Sequence, residues 1–298
     1  MRVVGDFLVH PLCLGGNVFG WTADEKQSFA VLDAYADAGG NFIDTANRYS
    51  DGESESIIGR WMAARGNRYD MIIATKVGGG QSQTAQIIRQ ELEKSLRRLG
   101  TDHIDIYYAH RDDPEIPLEE SLAAYNSLVR AGKVRHLAAS NFTAARLEEA
   151  AAVAEREGFA KYVGVQPHYN LMERGYEQDL APTVAAQELA CMPYFAVAKG
   201  FLTGKYRPGH TDTGSPRAAG AARYLDDRGL AVLAELDAIA GAYETTVAAV
   251  ALAWLAAQPT VTSPIASART PEQLADLLPM ASLELTEEEV ARLSAVSA

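Results

Sequence analysis

The sequence predicts an α/β chain folded as a single (β/α)8 TIM barrel with a short N-terminal β-hairpin, and three observations carry that expectation. The first is length: 298 residues can enclose one large core, and such a barrel needs roughly 250. One domain over 1–298 is therefore expected. The second is an alternation, repeated eight times, of a short apolar segment with an amphipathic one. The third is that the short segments are nearly continuous in apolar residues, as parallel strands covered on both faces require. Eight such units favour a closed barrel over an open sheet.

The opening VVGDFLVH reads as a hairpin turning at Gly5-Asp6, able to plug the barrel bottom. The expected strand and helix pairs then follow in order: LCLG with 24–38, NFID with 52–64, MIIATK with 84–98 and HIDIYYAH with 118–130. After these come VRHLAAS with 143–156, YVGVQ with about 173–189, MPYFAV with 227–240 and 246–257, and VTSPIA with 271–278. Thr22 with Glu25, Thr270 with Gln273 and Thr286 with Glu289 have capping-box spacing. Pro271 falls at a first helical position, where a missing N–H costs nothing. The stretch 207–224 is rich in Gly, Pro, Ala and Thr without periodicity and is expected to be a mobile loop.

Composition excludes several partners. A net charge of −12 disfavours nucleic acid and anionic membrane, because both need clustered Lys and Arg. No run approaches the roughly 18 apolar residues of a membrane helix, and MRVVGDFLVHPL lacks the apolar stretch of a signal peptide. A cytoplasmic protein is expected. Cys13 and Cys191 lie in separate apolar segments, which argues against a disulfide framework and suits a reducing compartment. An anionic ligand would need a local basic patch.

The informative feature is what ends each apolar segment. Asp44 follows NFI, Lys76 follows MIIAT, His110 follows IDIYYA, Ser140 and Asn141 follow VRHLAA, Gln166 follows YVGV and Tyr194 follows CMP. In a (β/α)8 barrel these ends converge on one rim, where active sites are built. Singly, each has an ordinary reading: Asp44 as a turn residue, Ser140 as a helix cap, His110 as a buried histidine with one partner. Gathered on one rim they point to a site.

These residues lie in segments that resemble the aldo-keto reductase family: LGGNVFG, NFIDTANRYSDGESESIIGRW, ATKVG, IDIYYAH, SNF, VQPHYNL and YFAVAKGFLTGKYR, within a match running from Leu12 to about Leu278. The resemblance implies a catalytic tetrad at Asp44, Tyr49, Lys76 and His110, with Tyr49 giving a proton to a substrate carbonyl while NADPH gives hydride. The residue types suit that chemistry. A free phenol, with a pKa of about 10, is a reluctant acid at neutral pH. A neighbouring ammonium, Lys76, stabilises the phenolate, a carboxylate, Asp44, holds the ammonium, and His110 can hydrogen-bond the carbonyl oxygen.

For the cofactor, no G-x-G-x-x-G follows the first strand, so the dinucleotide mode of open α/β sheets is not indicated. GFLTGKY is one residue too short for a P-loop and has Tyr206 where Ser or Thr would hold magnesium. The resemblance implies instead that the stretch from Gly200 to Tyr206, with Lys205, wraps the pyrophosphate, and that Asp44, Phe195, Val197 and Lys199 also bind cofactor. It further implies that Tyr194 stacks on the nicotinamide, that Ser140, Asn141 and Gln166 bond its carboxamide, and that Gly15, Gly16 and Asn17 approach the ribose. Ser267, Arg269 and Gln273 match the positions around the adenosine 2′-phosphate, where a helix start and a fixed positive charge favour NADP(H) over NAD. Ser267 replaces a common glycine, and Leu277 stands where many relatives have asparagine. The competing reading of this stretch is a capped surface helix with a solvated arginine.

For the substrate, Phe19 and Trp21 are expected as an apolar wall beside His110, though aromatics there are as often plain core. The acids of RDDPEIP, 111–117, are expected to disfavour anionic substrates at that rim. With the chain stopping at Ala298, a long closing C-terminal loop is not expected, and the site should be open. Aldehydes, ketones, sugars and polyketide-like carbonyls fit equally, and the oligomeric state is left open. Two other classes compete. A metal-dependent barrel hydrolase could use Asp44, His110, Asp112 and Asp113, but the sequence has no closely spaced His pair of metal-ligand type and puts a lysine on the same rim. A cofactor-binding regulatory subunit without physiological turnover is the other.

Overall fold

The computed structural model describes residues 1–80, 82–210 and 214–298, so 211–213 of the stretch 207–224 lie outside the described residues. β1 (Arg2–Val4) and β2 (Phe7–Val9) form the expected antiparallel hairpin. Eight parallel strands follow in one curled sheet: β3 (Cys13–Gly15), β4 (Phe42–Asp44), β5 (Ile72–Val77), β6 (Ile104–Ala109), β7 (Val134–Ser140), β8 (Tyr162–Gln166), β9 (Ala190–Cys191) and β10 (Ile265–Ala266). The sheet order is β10-β3-β4-β5-β6-β7-β8-β9. At its open edge β9 meets the segment leading into β10 through a parallel bridge between Cys191 and Val261. Thr262 N donates to Cys191 O at 2.8 Å and Ile265 N to Pro193 O at 2.9 Å, which draws the sheet round into a barrel.

Pleating explains both cores. Side chains two residues apart share a face, so Phe42 and Asp44, Ile72, Ala74 and Lys76, and Ile106 and Tyr108 all point inward. The inward set packs with Cys13, Ala138 and Met192, and Val4 and Val9 of the hairpin join that cluster as the plug at the bottom. The opposite faces pack against the helical layer in a second, larger cluster.

The helices are α1 (Glu25–Asp37), α2 (Glu53–Arg65), α3 (Ala85–Leu99), α4 (Leu118–Arg130), α5 (Ala144–Glu157), α6 (Tyr176–Asp179), α7 (Ala181–Ala186), α8 (Ala218–Ala222), α9 (Asp227–Ala242), α10 (Val247–Ala256), α11 (Pro271–Ala275) and α12 (Glu287–Val296). Among the described residues no single helix is long and apolar enough to cross a membrane.

Local chemistry accounts for the departures from the sequence reading. Asp24, not Thr22, caps α1: its carboxylate accepts from Gln27 N at 2.8 Å, and Gln27 Oε1 accepts from Asp24 N at 3.1 Å. The same box forms at Thr286 and Glu289 as expected. At Thr270 only the hydroxyl half forms, because Gln273 Oε1 accepts from Arg269 N instead. The expected helix over 173–189 is broken into α6 and α7, because Pro182 belongs at a helix start. MPYFAV is not a strand. Pro193 has no amide to donate, and Phe195 takes a left-handed φ of 52°, so strand-like bonding ends where Tyr194 N donates to Pro167 O. The segment over 271–278 gives only the five-residue α11 before a 3-10 turn at Leu278–Ala281. Within 207–224, residues 218–222 form the helical turn α8.

Candidate active site

Strand register sets the site. Gly15 pairs with Asp44, Lys76 with Tyr108, and Ser140 with Gln166, which brings the polar strand ends of the sequence reading to one level of the rim. At its centre Lys76 Nζ donates to Asp44 Oδ2 at 2.6 Å and to Thr45 O at 2.7 Å, and stands 3.4 Å from Tyr49 OH. Gln166 Nε2 donates to the other oxygen, Asp44 Oδ1, at 2.8 Å. The Tyr49 and His110 rings meet edge to face with centroids 6.3 Å apart. Phenol, ammonium, carboxylate and imidazole, drawn from two strands, the residue just past a third and a 3-10 turn, thus converge.

Tyr49 reaches the group because the chain after it doubles back. Ser50 and Asp51 have φ of 50° and 54°, followed by Gly52 at 91°. Such consecutive left-handed residues are costly and persist only where the surroundings hold them. Ser50 Oγ helps by donating to Phe19 O at 3.0 Å.

Burial sets the electrostatics. Loss of solvent alone would lower the Lys76 ammonium, but the charges and hydrogen bonds of Asp44 and Tyr49 raise it above the ordinary lysine value. Burial pushes the Tyr49 phenol up while Lys76 pulls it back down. His110 is pulled from 6.5 down to about 3, first by burial and then by the cations Lys76, Arg48 and Arg111. Its imidazole is therefore neutral near pH 7, and its Nδ1 is buried with no protein partner.

Around this centre runs a cavity of about 700 Å³. Of the cofactor residues expected from sequence, Gly15, Asn17, Ser140, Asn141, Gln166, Tyr194, Phe195, Val197, Lys199, Gly200, Lys205, Ser267, Arg269 and Gln273 all line it, as do Asp44, Tyr49, His110 and Trp21. Gly16 and Phe19, also expected at the site, do not line the cavity. Gly16 turns away from the cavity: its N–H donates to Asp44 O at 2.8 Å, and a Cβ there would face Ser54 Oγ of α2 at 3.0 Å. Phe19 is core at 0% exposure, lodged beneath Gly16, whereas Trp21 is 55% exposed on the cavity wall.

One end of the cavity is tied together by stacking and hydrogen bonds. Tyr194 lies flat on His168, with centroids 5.2 Å apart and planes at 9°. Its hydroxyl donates to Asn141 Oδ1 at 2.8 Å, and Asn141 Nδ2 donates to His110 O and Ser140 Oγ. Gly15 packs closely on Ser267, since a Cβ there would lie 2.6 Å from Ser267 Oγ, which itself donates to Asn17 Oδ1 at 2.7 Å. Lys199, Lys205, Arg217 and Arg269 line the walls, and among the described residues none of them has a carboxylate partner.

Residues 11–298 match the model of the aldo/keto reductase family. The chain belongs to that family. This aldo/keto reductase is 36% identical over 298 residues to the uncharacterized oxidoreductase YrpG of Bacillus subtilis (strain 168), covering 94% of this chain and 90% of that one. It is 32% identical over 304 residues to norsolorinic acid reductase B of Aspergillus parasiticus, covering 95% and 79%. It is 31% identical over 304 residues to an aryl-alcohol dehydrogenase of Pestalotiopsis microspora, covering 95% and 77%. The family and these relatives make the protein an oxidoreductase of carbonyl-reducing type, in a family that generally uses nicotinamide cofactors.

Two features of the reductase escaped the sequence reading. Arg217, just before α8, lays its guanidinium 5.7 Å from the Trp21 ring centroid and 6.0 Å from that of Phe195, bridging opposite walls of the cleft. No periodicity surrounds it, so nothing local marks it. Two of the three acids of loop 111–117, Asp112 and Asp113, are also not what they looked like, whereas Glu115 is exposed. Asp112 accepts two bonds from Arg146 of α5, each at 2.9 Å, and Asp113 accepts from Ser82 Oγ and Gln83 N. They face structure, not substrate.

Proposed function

We propose that this aldo/keto reductase reduces an aldehyde or ketone to an alcohol with NADPH, Tyr49 being the proton donor. The observation that carries the reading is the short Asp44–Lys76 contact with the Lys76 ammonium 3.4 Å from Tyr49 OH. A phenol beside a locked ammonium gives up its proton more readily, because the phenolate left behind is stabilised. Neutral His110 offers an N–H toward a carbonyl oxygen, where charge builds as the carbonyl is reduced. Asp44, held at both oxygens, keeps the lysine charged and placed.

The residues fit a nicotinamide dinucleotide phosphate. When bound, that cofactor supplies the hydride. Gly15 and Asn17 line the part of the cavity that would take a sugar, and Tyr194, backed by His168, leaves its other ring face toward the cavity. The uncompensated cations Lys199, Lys205 and Arg217 suit a diphosphate, and Arg269, beside Gln273, suits a further phosphate on the adenosine. α11 has only five residues, so its dipole adds little and the charge of Arg269 is the main attraction. Ser140, Asn141 and Gln166 stand around the place of the carboxamide, already bonded to one another or to Asp44.

Tyr49→Phe is the test. It should cut NADPH-dependent turnover of aromatic aldehydes, the first panel to try given the aryl-alcohol relative, by roughly 10²–10⁴, while NADPH binding by fluorescence persists. Turnover close to wild type would reject Tyr49 as the acid. Tight NADPH binding with no oxidation by any carbonyl in wild type would favour a regulatory subunit.

A further inference from the structure

A second, smaller lobe adjoins the main cavity and shares Tyr49, His110, Arg111 and Asn141 with it. Its volume is about 320 Å³, and it is lined by Arg48, Tyr49, Gly79, His110, Arg111 and Asn141. None of these is a carboxylate, and among the described residues neither Arg48 nor Arg111 has an ion-pair partner. Arg48 and His110 close on one glycine: a Cβ on Gly79 would lie 3.2 Å from Arg48 Cδ and 3.0 Å from His110 Nδ1. The acids that neighbour Arg111 in sequence are spent on Arg146, Ser82 and Gln83. In a protein of net charge −12, two unpaired guanidiniums beside a phenol and an imidazole form a local reversal of sign that the sequence reading of this rim had as acidic.

From this juxtaposition we infer that the substrate is an aldehyde or ketone carrying a carboxylate, seated on Arg48 and Arg111 while its carbonyl oxygen meets Tyr49 and His110. The inference rests on the carbonyl-reductase reading above. Guanidinium forks match planar carboxylates in two-bond geometry. Anchoring at one end of the lobe fixes which bond faces the phenol, so the charge serves orientation as well as affinity. The chemistry is otherwise unchanged: the carbonyl carbon gains hydride from NADPH, its oxygen gains the Tyr49 proton, and the anchoring carboxylate takes no part.

The test compares each of the three carboxybenzaldehyde isomers with its methyl ester, NADPH being saturating. For the best isomer, kcat/KM of the acid should exceed that of the ester at least tenfold in wild type. The ratio should fall toward one in the Arg48→Gln, Arg111→Gln double variant and shrink with added salt. A ratio near one in wild type, or one the double variant leaves intact, would overturn the inference. So would a clear preference for an aldehyde bearing a phosphate ester over every carboxylate. A second arm needs no turnover: calorimetry of 4-(hydroxymethyl)benzoate against its methyl ester, with NADP+ present. Selective binding of the anion, lost in the double variant, upholds the lobe even if no aldehyde is reduced and the reductase reading falls; equal binding sinks it.

Discussion

Two sets of arginines in this molecule obey opposite rules. In the layer between strands and helices, Arg68 donates to Asp105, to two backbone carbonyls and to Thr101, and Arg98 donates to Glu55, whose other oxygen takes the Thr75 hydroxyl at 2.6 Å. At the carboxyl rim, Arg48, Arg111, Arg217 and Arg269 line cavities, and among the described residues none of them forms an ion pair. A buried charge left unpaired is expensive, so structure must complete the first set. The second set stays half in solvent, where leaving it incomplete costs little and preserves it for an incoming anion. The contrast separates cations that hold the fold from cations kept for ligands.

The sharpest way to break that division is to remove one partner from the inner set. Glu55→Ala should cost about 3–5 kcal/mol in denaturant unfolding, because Arg98 and Thr75 lose their buried acceptor. A loss under about 1 kcal/mol would mean that the pair is solvated, and the distinction would fail.

The next effect concerns His110, which burial first, and then Lys76, Arg48 and Arg111, hold neutral. With His110 pulled to about 3 against roughly 6.5 in the unfolded chain, the unfolded state binds the extra proton between those values. Stability from this residue is complete above about pH 6.5 and falls as pH drops toward 3, by on the order of a few kcal/mol in all. His110→Gln should flatten that part of the wild-type pH profile, and an imidazole signal titrating near 6 would contradict it.

A smaller effect is expected from the outer set. Arg269→Ala should leave the unfolding midpoint nearly unchanged yet raise the apparent KM for NADPH roughly tenfold to a hundredfold more than that for NADH, the range of one charge-assisted bond. Equal rises for both cofactors would remove Arg269 from phosphate recognition. A large loss of stability would move it to the inner set.

How far the sequence reveals this depends on range. Strand ends are legible because period and polarity are local: Asp44, Lys76, His110, Ser140 and Gln166 follow their apolar runs, and parallel register then levels them. The hairpin plug and most helix spans are legible for the same reason. Side-chain direction inside a turn is not. Phe19 and Trp21 sit two residues apart, yet one is core and the other faces the cavity, because the chain turns between them as Trp21 N bonds Val18 O. Partners distant in sequence are hidden too: Asp112 and Asp113 look like free acids until Arg146 of α5 and the Ser82–Gln83 turn arrive in space. Arg217 lies in a stretch without pattern, and only the fold brings it to Trp21 and Phe195.

The floor of the cleft carries a consequence of its own. Because the Ser267 hydroxyl occupies the 2.6 Å space where a side chain on residue 15 would begin, positions 15 and 267 share a single allotment of volume across the seam between β3 and β10. In chains descended from a common ancestor with this one, a hydroxyl at the second position should favour hydrogen at the first, and a side chain at the first would need both residue 267 and Ile265, 3.1 Å away, to yield. The two sites, 252 positions apart in the numbering, should drift as a coupled pair.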